Sequence, residues 1–245
     1  MFEILIEPTT KPEDLNPPEG QLLLVNKPYK WTSFDVVNKL RYHIKRSYKL
    51  KKVKVGHAGT LDPLATGLLL ICAGRKTKEL HLLTGLDKTY TGSFVLGQTT
   101  PSFDLETEVD KETPVDHITE EDIHRTAKEM IGKQEQMPPI FSAKKVDGKR
   151  AYHAARKGKD IKLTAHPIEI FDFRITAIEM PRIDFEVKCS KGTYIRSIAR
   201  DFGEKLSAGA HLSELTRTAA GPYLLETAFD LEELVAHLSE PKTPL

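Results

Sequence analysis

The chain has 245 residues, enough to bury a full core as one large domain or two small ones. Lysine and arginine number 36 against 35 aspartates and glutamates, so a net charge of +1 does not by itself announce a nucleic-acid binder. Two cysteines give neither a metal-ligand spacing nor a disulfide framework, and the longest wholly apolar run, Leu68 to Ala73, is far too short to span a membrane.

Met1 to Glu7 carries acids where a secretory signal carries basic residues. Leu22 to Val25 reads as a strand entering a Lys27-Pro28 turn. Ser33 is predicted to cap a helix with Val36, Val37, Leu40 and Ile44 on one face. From Arg41 to Lys54 there are seven basic residues and no acid, with Tyr42, His43 and Tyr48 interleaved. Basic charge neutralises phosphate and flat rings stack on unpaired bases, so the stretch modestly favours RNA contact.

Gly56 to Gly67 then packs three glycines, His57 and Asp62 into twelve residues, directly before the apolar run. Asp62 is the one acid between Asp35 and Glu79. A carboxylate so isolated in a turn-rich loop reads either as a helix cap for Pro63 to Thr66 or as a placed chemical group.

Tyr90 to Leu96 is predicted to be another strand, ended by Gly97. Asp104 to Asp122 holds nine acids against Lys111 and reads as a solvated surface. Thr119 and Asp122 form a capping-box pattern for a helix with Ile123, Ala127, Met130 and Ile131 inward. Residues 134–164 lack strong periodicity, are broken by Met137-Pro138-Pro139, Gly148 and Gly158, and are basic from Lys144 to Lys162, with Tyr152 and His153 among the charges. A loop this long inside a compact domain usually serves a function. Phe171, Phe173, Ile175 and Ala177 alternate, as do Ile183, Phe185, Val187 and Cys189, which predicts two antiparallel neighbours around Met180-Pro181. Ile195, Ile198, Ala199, Phe202 and Leu206 describe an amphipathic helix, and Asp230 to Leu238 a last one. The mixture reads as α+β with a largely antiparallel sheet. Cys72 and Cys189 sit in strand patterns, as buried free thiols suited to a reducing cytosol.

The string Gly56-His57-Ala58-Gly59-Thr60-Leu61-Asp62-Pro63-Leu64-Ala65-Thr66-Gly67 closely resembles the signature of the TruB family of tRNA pseudouridine synthases. Further segments extend the likeness: Leu23 to Pro28, Asp87 to Tyr90, Cys189 to Ile198, Gly209 to Leu212 and Leu215 to Thr218. Two positions depart from it. Lys30 stands where a glycine is usual, and Thr216 where an arginine is common. The resemblance implies a pseudouridine synthase fold, with a mixed, mostly antiparallel sheet flanked by helices and 134–164 as a thumb-like insertion. It implies one catalytic domain over 1–245, and the end at Leu245 leaves little room for an appended PUA domain. It assigns Asp62 as nucleophile, Tyr90 as the ring that stacks on the flipped uracil, and Arg196 as the cation opposing Asp62. His57 fills the gap left by the displaced nucleotide, while Tyr194 and Leu215 line the pocket.

The implied reaction converts uridine 55 in the tRNA T-loop to pseudouridine, with tRNA as partner, no cofactor or metal, and a cytoplasmic monomer as the setting. Because the change is an isomerisation, no redox group is needed; a nucleophile and a way of turning the base out of its stack are. Burial alone would neutralise an aspartate, so an opposing cation is required. The alternative is a tRNA-binding folding factor whose catalysis is secondary. A carboxylate hydrolase calls for a second catalytic acid or a metal cluster, and neither is legible.

Overall fold

The computed structural model describes residues 8–9, 11, 14–17, 19–140, 145–146, 149–150 and 163–239, without side chains at 145–146 and 149–150. Most of the basic 144–162 stretch, with Tyr152 and His153, and the acidic N-terminus therefore lie outside the described residues. In chain order the main elements are β1 (Gln21–Lys27), α1 (Ser33–Ser47), β2 (Val55–Ala58), β3 (Thr66–Ala73), α2 (Leu80–Thr84), β4 (Lys88–Leu96), α3 (Glu120–Glu129), β5 (Gly132–Gln136), β6 (His166–Glu179), β7 (Arg182–Cys189), α4 (Ile195–Lys205), β8 (Ala210–Ala220) and α5 (Leu231–Ser239). No helix among the described residues is long and apolar enough to cross a membrane. Contacts divide the chain into two compact units, one of residues 1–90 and 216–245, the other of 91–215.

In the first unit β3 is the central strand. β1 pairs antiparallel along its length, from Gln21 opposite Ala73 to Lys27 opposite Gly67. β2 pairs antiparallel with Leu70 to Ala73, and β8 lies parallel against Thr66 and Gly67. Strand side chains alternate between faces. Leu23, Val25, Leu69, Ile71 and Ala73 therefore pack under α1 and α5, against Val36, Val37, Leu40, Ile44, Leu231, Leu234 and Leu238. Leu22, Leu24, Leu68, Leu70 and Cys72 turn the other way, to Leu83, Leu86 and Tyr223. With both faces covered, β3 needs an uninterrupted apolar run, and that is what the sequence carries. Burial pushes the Cys72 thiol up to about 12, with Glu79 adding to the effect, so this cysteine is an inert core residue.

The cap of α1 is Thr32 rather than Ser33. The Thr32 hydroxyl accepts the Asp35 N–H at 3.1 Å, and the Asp35 carboxylate accepts the Thr32 N–H at 2.9 Å. Thr32 and Asp35 thus close a capping box, with the cap one residue earlier than the sequence reading placed it, which frees the Ser33 hydroxyl for another task.

In the second unit β4 lies between β8 and β7, with β6 and β5 following outward. Its core is aromatic: Phe94 stacks on Phe185 with centroids 4.2 Å apart and meets Phe202 at 5.5 Å, while Phe173 meets Phe185 edge-on at 6.0 Å. α4 buries Ile195, Ile198, Ala199, Phe202 and the following Leu206, as its spacing predicts. The β6–β7 pairing is antiparallel as expected, but two register shifts, between Ile170 and Asp172 and between Ile175 and Ala177, break the alternation. An inserted residue moves every following side chain to the opposite face. The buried set on β6 is thus Ile168, Ile170 and Phe173, while Phe171 and Ala177 are exposed. α3 starts at its predicted Thr119–Asp122 box. It ends at Glu129, so Met130 is buried but Ile131, already past the helix, is exposed.

Candidate active site

Asp62 lies in the loop between β2 and β3, and neighbouring segments of the first unit hold that loop at Gly59, Leu61 and Pro63. Arg217, 1% exposed on β8, joins its two ends: Nη2 donates to the Gly59 carbonyl at 3.1 Å and Nε to the Leu68 carbonyl at 2.7 Å. Ser33 Oγ accepts the Leu61 N–H at 2.8 Å and donates to the Leu61 carbonyl at 3.1 Å. The Pro63 carbonyl accepts the Lys30 N–H at 2.9 Å and Lys27 Nζ at 3.3 Å. Asp62 is flanked by two fixed residues, and its own carbonyl closes a turn to the Ala65 N–H at 3.1 Å. Asp62 as a residue is partly exposed.

Gly67, where the loop meets β3, has φ +99°; a Cβ there would stand 2.4 Å from the Arg217 carbonyl oxygen and 2.7 Å from its nitrogen. Only glycine lets β8 approach this closely. Next to the pairing, the Thr66 and Thr216 hydroxyls share a hydrogen bond of 2.8 Å. A hydroxyl at 216, where the resembled family often has arginine, thus ties β8 to the loop's exit.

Two buried cations, Lys27 and Arg217, hold the Asp62 loop. Lys27 is fully buried and donates to the carbonyls of Pro28 at 3.0 Å and Trp31 at 2.6 Å as well as to Pro63. Burial lowers its pKa to about 8; the Asp62 charge acts in the opposite sense and Arg217 in the same one. His57, on β2, has its pKa lowered chiefly by burial and next by Arg217, against a Gly59 backbone hydrogen bond that raises it, so it is neutral near pH 7. Tyr90, on β4, is 8% exposed.

Tyr194, Arg196 and Leu215 belong to the second unit. Arg196, in the first turn of α4, is 3% exposed rather than a solvated helix-start arginine. Its Nε stands 3.5 Å from Asp104 Oδ2, and its Nη1 donates to the Ser102 carbonyl at 3.3 Å. Asp104 is 4% exposed. It is therefore not part of the solvated acidic surface that the 104–122 charge count suggests. The Thr100 and Ser102 hydroxyls hold its carbonyl at 2.7 and 3.0 Å, and its Oδ1 accepts the Glu106 N–H at 3.0 Å. Tyr194, at the α4 N-cap, is clasped by Gln136: Nε2 donates to the Tyr194 carbonyl at 3.1 Å and Oε1 accepts the Tyr194 N–H at 2.8 Å. Ser197 Oγ donates to the Met137 carbonyl at 2.9 Å. The root of the 134–164 stretch is thereby fastened beside Arg196. Leu215 is buried on β8.

The sequence reading missed the structural parts of Lys27, Ser33, Asp104, Gln136 and Arg217. Lys27 and Arg217 were legible only as members of quoted motifs, and nothing in the pattern marks Gln136. No group of three or more His, Cys, Asp or Glu among the described residues could hold a metal ion.

Residues 45–195 match the family model of the TruB family pseudouridylate synthase N-terminal domain, and 196–243 that of the tRNA pseudouridylate synthase B C-terminal domain. The tRNA pseudouridine synthase B of Flavobacterium johnsoniae is 54% identical over 214 residues, covering 87% of this chain and 93% of that protein. The protein of the same name from Phocaeicola vulgatus is 50% identical over 226 residues, 92% of this chain and 96% of that one. Among solved structures, a chain of a Cbf5–Nop10–Gar1 complex superposes with a TM-score of 0.69 at 26% identity, covering 96% of this chain and 61% of that longer one. An H/ACA ribonucleoprotein bound to a substrate RNA containing 2′-deoxyuridine gives 0.66 at 24% identity, over 96% of this chain and 60% of that one, a likeness of fold. With both family models matched in sequence order over residues 45–243, the chain belongs to the TruB family of pseudouridylate synthases.

Proposed function

We propose that this chain converts uridine 55 in the T-loop of tRNA to pseudouridine, with Asp62 as the nucleophile. The observation that carries the reading is the bracing of residues 59, 61, 63 and 68 around a partly exposed Asp62 by Arg217, Ser33, Lys30 and Lys27. Preorganisation of this kind holds a nucleophile near its attack geometry, where small displacements are costly in rate. The tRNA substrate is supported by the close relatives named tRNA pseudouridine synthase B.

The reaction breaks the bond between uracil N1 and ribose C1′, turns the base, joins C5 to C1′ and removes the C5 proton while N1 gains one. Atoms and electrons balance without a cofactor. Asp62 serves the first step, by attacking C1′ or by taking a ribose proton. The target base leaves its stack to reach the carboxylate. Tyr90 stacks on the flipped uracil, neutral His57 fills the vacated place, Tyr194 and Leu215 shape the pocket, and Arg196 supplies the cation that keeps a carboxylate ionised in a dry site.

The test is Asp62→Asn with a tRNA transcript, reading pseudouridine at each position and binding separately. The expected result is no product with binding close to wild type. Product from the variant would overturn the nucleophile assignment. Product at a position other than 55 would overturn the substrate assignment.

A further inference from the structure

The turn between β1 and α1 contains a strained residue that the bracing of Asp62 does not fully explain. Lys30 has φ +65°, a left-handed conformation that residues with a Cβ rarely adopt. Its N–H bonds Pro63, next to Asp62, but glycine could make that bond without strain. A strained residue at a site points to a use for its side chain. The Lys30 side chain is exposed, and its ammonium stands 5.6 Å from the centroid of the Tyr29 ring. No carboxylate among the described residues bonds it. The nearby Asp35 carboxylate is engaged by the Thr32 N–H and hydroxyl. Tyr29 is 51% exposed, and Phe34, at the start of α1, is 60% exposed. An exposed ammonium and two exposed rings thus lie in the turn and helix start beside the loop that carries Asp62, in the combination that grips single-stranded nucleic acid: charge for phosphate, ring faces for bases.

We propose that Lys30 and Tyr29 form a nucleotide clamp on the rim of the Asp62 loop. Lys30 takes a backbone phosphate of the unpaired RNA flanking the target uridine, and Tyr29 stacks on an adjacent base. The occupant is a single-stranded RNA loop, so the inference rests on the function proposed above. The left-handed backbone at Lys30 is then a stability cost retained for RNA affinity.

The test uses the full chain and an unmodified tRNA transcript, with binding measured across a range of salt concentrations and thermal unfolding measured alongside. Lys30→Gly is expected to raise the melting temperature, because strain is relieved. It is also expected to raise Kd about fivefold and to lower the slope of log K against log salt by about one unit, the signature of one lost phosphate contact. Lys30→Gln gives the same Kd and slope change without the gain in melting temperature. Lys30→Arg keeps the wild-type slope. Tyr29→Ala raises Kd about tenfold with the slope unchanged, and Tyr29→Phe restores affinity. Wild-type Kd and slope in both Lys30→Gly and Lys30→Gln would overturn the Lys30 assignment, and wild-type Kd in Tyr29→Ala would overturn the stacking role. If the wild-type chain made no pseudouridine in the transcript, the proposed function would fail by itself, and the salt slopes would still decide whether Lys30 meets phosphate.

Discussion

Ser33 and Leu61 are joined twice, by an N–H that donates to the hydroxyl at 2.8 Å and a carbonyl that accepts from it at 3.1 Å. One buried side chain therefore satisfies both backbone groups of the residue before Asp62. Ser33→Ala leaves those groups without this partner, at an expected cost of about 2 kcal/mol in urea unfolding. It should also reduce turnover on tRNA, because the loop loses its grip beside Asp62, the proposed nucleophile. Thr32→Ala is the matched control. It removes the helix cap for about 1 kcal/mol and leaves the loop bonds in place, so turnover should hold. Equal activity losses in the two variants would contradict this division of labour.

Gly67 and Gly132 separate backbone strain from steric collision. Both have strongly positive φ, +99° and +118°. A Cβ on Gly132 meets nothing within 4 Å, whereas one on Gly67 would enter the Arg217 backbone. Gly132→Ala should cost about 1 kcal/mol, from conformation alone. Gly67→Ala should cost well over about 3 kcal/mol and reduce the yield of folded protein, because β8 must move off β3. Denaturant titration of the pair measures the difference.

The Arg196–Asp104 pair is buried on both sides, so its loss should be felt in stability. Removing one partner of a buried ion pair typically costs about 3 kcal/mol or more, because the remaining charge stays desolvated. Asp104→Ala should show that loss in chemical denaturation. Asp104→Asn keeps a hydrogen-bond acceptor and should lose less. A surface-like response below about 0.5 kcal/mol in Asp104→Ala would show that the pair carries no such burden.

What the sequence made legible follows what local chemistry can encode. The alternation in β7, the helical spacing of α4 and the Thr119–Asp122 box are short-range patterns, and each appears in the structure where its residues predicted it. Asp104 was misread because a count of neighbouring acids cannot show that one of them turns inward to an arginine 92 positions later. The β6 face was misread because a bulge adds a residue to one strand only, and a single strand's sequence does not record it. Ser33 was misread because adjacent hydroxyls offer two equivalent caps, and a choice between them needs the partner loop, 28 residues away. The resemblance named Asp62. What holds its loop, Lys27, Ser33 and Arg217, comes from three elements distant in sequence.

Lys27 should leave a trace in the pH dependence of stability. Its folded pKa of about 8 lies below the ordinary 10.5, chiefly because of burial. Between these values the unfolded chain binds the extra proton, so this residue makes stability rise as pH climbs from about 8 toward 10.5. Below about 8 both states are protonated, and the folded state carries the full desolvation penalty. Relative to Lys27→Met, which does not titrate, wild-type stability should therefore improve across that window. Urea unfolding at pH 7.5, 9 and 10.5 checks this, and a constant difference between the two proteins would refute it.

Because neighbours on both faces of β3 fix which residues point up and which point down, the strand works as a ruler with no slack. A one-residue insertion or deletion within Leu68–Ala73 would exchange two cores at once, and no slippage of register could absorb it. Length variation is thereby pushed out of the strand, so the exit of the Asp62 loop keeps a constant address. Surrounding turns such as the one at Lys30 are free to vary while the Asp62 loop stays anchored.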